Sequence, residues 1–66
     1  MEYRIQVRGH VSPRVARHFP GFEADPHDAV TDLIGAVEDQ AALFAVMERA
    51  RDLGLDVLEV VPLAPA

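Results

Sequence analysis

Residues 30–63 decide the fold: VTDLIGAV (30–37), then DQAALFAVMERARDL (39–53), GL (54–55) and VLEVVPL (57–63). The middle segment carries Leu43, Val46, Met47, Ala50 and Leu53 at the spacing of one helical face, with Asp39 placed to cap its start. Gly54 followed by Leu55 fits a left-handed C-cap with its hydrophobic contact. Val30–Val37 is β-rich and apolar on both alternating faces, which predicts an interior strand, and Gly35 within it predicts a bulge or a close backbone approach. Residues 57–63 read as a last strand, with Pro62 and Pro65 marking where it frays.

Toward the N-terminus, residues 3–11 alternate. Tyr3, Ile5, Val7, Gly9 and Val11 face one way and Arg4, Gln6, Arg8 and His10 the other, as in a half-buried strand. Ser12-Pro13 reads as a helix start, Val15 and Phe19 share a face, and Pro20-Gly21 stops the helix within two turns. Phe22–Asp25 reads as a brief strand and Asp25–Asp28 as a turn. The order is a ferredoxin-like βαββαβ plan with a shortened first helix. Because residues 12–20 barely supply a crossover between parallel strands, βββαβ stands as the alternative. Either way the chain is one α+β domain over residues 1–66, an antiparallel sheet with one long helix on one face.

The chain has 66 residues, half of them hydrophobic, and no cysteine. A domain this short buries only about 60% of its unfolded surface, and such domains compensate with disulfides, metals or oligomerisation. Disulfides and thiolate metal sites are excluded by composition, so self-association, with a homodimer as the simplest form, is the expected remedy. Neither a signal peptide nor an apolar run of about 18 residues is visible, and the expected compartment is the cytoplasm. The net charge of −5 argues against nucleic acid and anionic membrane as partners. The charge is uneven: residues 1–20 hold Arg4, Arg8, Arg14 and Arg17 against Glu2, net +3, and residues 21–66 hold Arg49 and Arg51 against ten carboxylates, net −8.

Materials for catalysis are sparse. Ser12 is the lone serine and is accounted for as a helix cap. His10, His18 and His27 lie on different elements without paired metal-ligand spacing, so no metal or other cofactor is expected. The most coherent ligand candidate is the strand-to-helix segment with Gly9, His10, Ser12, Arg14 and Arg17, where free backbone N–H groups and two arginines would suit a small carboxylate or phosphate, as in regulatory domains of the ACT type. Phe44 stands outside the apolar stripe of the helix. With Ile34, Leu58 and Val60 it forms the candidate interface.

Thr31-Asp-Leu-Ile-Gly35, Asp39-Gln-Ala-Ala-Leu43 and Arg51-Asp-Leu-Gly-Leu55 together resemble a group of short actinobacterial proteins of unknown function. Those show a T-x-L-x-G strand, then D-Q-A-A-L-H-G and a helix ending R-D-L-G-L. This chain has Phe44-Ala45 in place of the His-Gly, which removes the motif's one group suited to chemistry. The remaining shared positions are a cap, core residues and a C-cap, so the resemblance implies scaffold and no activity. The leading reading is a non-enzymatic, self-associating accessory or regulatory module, with a second protein as a further possible partner. A small-ligand sensor is the second reading, and a small dimeric enzyme using His10 the third.

Overall fold

The computed structural model describes residues 1–63. Its elements run β1 (Glu2–Arg8), α1 (Pro13–Ala16), β2 (Phe22–His27), β3 (Val30–Ala36), α2 (Gln40–Asp52) and β4 (Val57–Leu63). The four strands form one sheet in the order β2-β3-β1-β4, every neighbouring pair antiparallel. The chain is α+β. A one-turn helix stands between β1 and β2, so three strands do not follow one another directly. β1 and β2 run in the same direction but are separated by β3, and the thirteen residues 9–21 suffice to connect them.

Alternation selects which side of the sheet is covered. Ile5 and Val7 of β1 are fully buried; their register partners on β3 are Leu33 and Thr31, and on β4 Val60 and Val57. On this face Phe19, Val37, Leu43 and Ala50 complete the core, with Val46, Met47 and Leu53 of α2 packed against it. The apolar stripe of α2 is therefore the face turned to the sheet. Its start is capped by the Asp39 carboxylate, which accepts the Ala42 N–H at 2.8 Å. Its end is a Schellman turn: Gly54 sits at φ 78°, Leu55 N–H donates to the Ala50 carbonyl at 2.9 Å and Gly54 N–H to Arg51 at 3.0 Å.

Two boundaries and one register differ from those expected of the sequence. β1 stops at Arg8, because Gly9 turns to φ 80° and its N–H donates to the Ala29 carbonyl. β2 continues through Pro26 to His27, and the turn is the two-residue Asp28-Ala29, with Asp28 at φ 51°. Proline is tolerated there because β2 is an edge strand, where its missing N–H faces no partner strand. β4 contains Pro62 on the opposite edge for the same reason, while Pro65 lies outside the described residues. The third difference is in β4: its register with β1 passes from Gln6↔Glu59 to Val7↔Val57, so Leu58 is an extra residue in a β-bulge.

Gly35 marks a close approach rather than a bulge. A Cβ there would lie 2.6 Å from Cγ of Phe22 and 2.8 Å from the Gly21 carbonyl oxygen. Gly35→Ala is expected to cost about 1–3 kcal/mol through overpacking. Urea denaturation of Gly35→Ala, alone and with Phe22→Leu, checks this, and the double variant is expected to recover part of the loss.

Candidate functional site

The face of the sheet away from α2 carries charge. By register it presents Glu59, Gln6, Asp32 and Asp25 in one row, with Val61, Arg4, Ile34 and Glu23 in the next. Asp32 is only 8% exposed although no helix covers it, because its neighbours close around it. His27 Nε2 lies 2.7 Å from Asp32 Oδ2, the Gln6 amide donates to Oδ1 at 3.1 Å, and Arg4 reaches the same oxygen at 3.5 Å while donating to Glu59 at 3.0 Å. Desolvation pushes the Asp32 carboxyl upward, but the hydrogen bonds from His27 and Gln6 and the charges of His27 and Arg4 outweigh it and hold the group below its ordinary 3.8. The hydrogen bond to Asp32, opposed by partial burial and helped by Asp28 and Asp25, raises His27 above its ordinary 6.5.

The second feature lies at the end of the covered face, between α2 and β4. Phe44, Met47, Glu48 and Arg51 from the helix face Leu55, Asp56, Val57 and Leu58, with Arg8, across an open groove of about 670 Å³. Phe44 is 59% exposed and Leu58 43%, the two most exposed large apolar side chains apart from Met1. Each has a local cause. Phe44 follows Leu43 by about 100° around the helix and so leaves the buried stripe. Leu58 is the bulge residue, and the bulge turns it out of the strand's alternation. The rim pairs Arg8 with Asp56 at 3.6 Å.

The four apolar positions singled out by sequence therefore separate. Phe44 and Leu58 share the groove; Ile34 is on the opposite, charged face; Val60 sits across from Ile5 and packs against the core. The Gly9–Arg17 segment is a loop tied to the β2–β3 turn and to β3, followed by α1. The Gly9 N–H goes to Ala29, the Val11 N–H to the Thr31 hydroxyl at 3.0 Å, and the Val15 N–H to Ser12 Oγ at 3.3 Å. The same Thr31 hydroxyl donates to the Gly9 carbonyl at 2.7 Å. Of the amides expected to meet an anion, those of Gly9 and Val11 are engaged within the chain, and Arg14 and Arg17 are exposed beside a helix of four residues. His10 is exposed, its Nε2 2.7 Å from the Asp28 carbonyl oxygen, to which it donates.

Sequence reasoning missed the His27–Asp32 pair because it placed the turn at Asp25–Asp28. With the turn at Asp28-Ala29, His27 and Asp32 fall on one face of adjacent strands. Each ring nitrogen of His27 has a carboxylate beside it, Asp32 Oδ2 at 2.7 Å from Nε2 and Asp28 Oδ2 at 3.5 Å from Nδ1. Among the described residues no three His, Cys, Asp or Glu side chains cluster as a metal site, and no helix is long and apolar enough to cross a membrane.

The chain belongs to the family described as domain of unknown function DUF8691, whose model matches residues 2–61. No curated protein and no solved structure matches it.

Asp32→Ala would leave Gln6 and the half-exposed His27 without their acceptor. Because exposed His27 turns to water, the loss expected is that of the Gln6 hydrogen bond, about 1 kcal/mol, read as a lowered urea midpoint with the far-UV spectrum unchanged.

Proposed function

We propose that this chain is a non-enzymatic, self-associating module, acting as an accessory or regulatory binding component in the cytoplasm. We also assign its strand order and connections to the ferredoxin-like plan, and its origin to the actinobacterial proteins it resembles. The observation that carries the functional reading is the groove that holds Phe44 and Leu58 together, both exposed on a domain with a core of few residues. Contiguous apolar surface framed by charge is characteristic of an interaction site.

A second copy of the chain is the partner the surface fits. The whole molecule is acidic, yet the rim offers Arg8 and Arg51 against Glu48 and Asp56, so it is locally neutral. A two-fold contact brings each patch against itself, and such a rim lets arginines of one copy meet carboxylates of the other. The alternatives for self-association have less support: each edge strand holds a proline, and the open face is occupied by paired charges. Proline on an edge is a known device against strand addition. In the sensor reading's loop the Gly9 and Val11 amides are engaged within the chain, and His10, the centre of the enzyme reading, is exposed with its ring donating to the Asp28 carbonyl.

Light scattering behind size exclusion, across a range of concentrations, tests the proposal. The expected result is a mass approaching twice that of one chain as concentration rises, and a monomer for Phe44→Glu with its circular dichroism unchanged. A single-chain mass for the native protein at every concentration overturns self-association and leaves the groove as a dock for a different protein.

A further inference from the structure

The turn between β2 and β3 is tied down at four points. His10 Nε2 donates to the Asp28 carbonyl at 2.7 Å and Gly9 N–H to the Ala29 carbonyl at 2.7 Å, so both carbonyls of the turn are held by the loop after β1. His27, the last residue of β2, has Asp32 Oδ2 at 2.7 Å from Nε2 and Asp28 Oδ2 at 3.5 Å from Nδ1. Asp28 itself is a non-glycine residue at φ 51°, a conformation that persists where the surroundings enforce it.

Carboxylates at both ring nitrogens fix the chemistry of His27. Only the imidazolium has two N–H donors. A neutral ring satisfies one carboxylate and turns a lone pair toward the other. The shorter contact, to nearly buried Asp32, is retained, and the longer one, to fully solvated Asp28, becomes repulsive. We infer that the β2–β3 hairpin is a proton-controlled clasp: imidazolium at His27 holds the Asp28-Ala29 turn closed on the Gly9–His10 loop, and the neutral ring releases it. This inference is independent of self-association.

The charged and titratable groups around His27 come from every neighbouring element. Asp25 precedes it on the same face of β2, Asp28 lies in the turn and Asp32 on β3. From β1, Arg8 shares its row beyond Val30, and Gln6 and Arg4 bind the Asp32 carboxylate from the far side. His10 reaches Asp28 from the loop. Carboxylates dominate the immediate surroundings, so the proton is held more tightly than in the unfolded chain.

The sign follows. A folded value raised above 6.5 means that the contribution of His27 is fully present below 6.5 and is lost as pH rises through the folded value. Asp32, held below 3.8, contributes fully above 3.8 and fails as pH falls through its folded value. The clasp is closed between those limits and opens on the alkaline side.

Nitrogen-15 NMR tests this with two readouts on the native chain and on His27→Gln. Ring nitrogen shifts give the titration of His27, and the exchange rate of the Gly9 amide, corrected for the intrinsic effect of pH, reports closure of the loop on Ala29. Expected is a titration above 6.5, with Gly9 protection falling through it by about tenfold for each unit of the elevation that Asp28 contributes. In His27→Gln, Gly9 is expected to be weakly protected at every pH, while the core amides Val7 and Leu33 keep their protection. Titration at or below 6.5, Gly9 protection that ignores it, undiminished Gly9 protection in His27→Gln, or parallel loss at Val7 and Leu33 would each overturn the inference.

Discussion

The contact on which the structure depends is the row Val60–Ile5–Leu33, which runs across three strands with Ile5 wholly withdrawn from water. Burying such a side chain contributes about 1.5–3 kcal/mol, a large share of what a domain of this size can muster. Leu43 and Ala50 of α2 close over this row with Phe19 from the loop after α1. With one long helix available, only one face of the sheet can be sealed in this way. The other face has to be compatible with water, and Arg4, Gln6, His27 and Glu59 around Asp32 are how it is furnished.

The same economy accounts for the groove. α2 must point Leu43 and Ala50 inward to cover Ile5, and this turns Phe44 away from the core. On the opposite wall β4 must keep both Val57 and Val60 against β1, an odd spacing that strict alternation does not allow. The bulge at Leu58 reconciles the two, and its cost is a leucine facing solvent. Two apolar side chains are thus left on neighbouring walls by packing requirements elsewhere. This is the physical basis for reading the groove as a contact surface.

Much of this was legible in the residues. The caps of α2, its buried stripe, the interior position of β3 and the bounds of β4 all follow from local rules of spacing and capping, and Phe44 stood out as off the stripe. What was not legible depends on pairing between distant segments. Val60 looked available because alternation from Leu58 was assumed, and only the register with β1 reveals the bulge. β1 seemed to run to Val11 because Gly9 and Val11 continue the alternation, yet the Gly9 amide is needed by Ala29 and the Thr31 hydroxyl takes Val11. The His27–Asp32 pair was hidden by one misplaced turn, since Asp25-Pro26 has turn chemistry that an edge strand can override.

A dilution series of amide spectra tests most directly the claim that the groove, and not the charged face, is where this domain meets another copy. As concentration rises, the expected shifts concentrate at Phe44, Met47, Leu55 and Leu58, with Gln6, Asp32 and Ile34 stationary. Shifts centred on Gln6, Asp32 and Ile34, or none at any concentration, would contradict it.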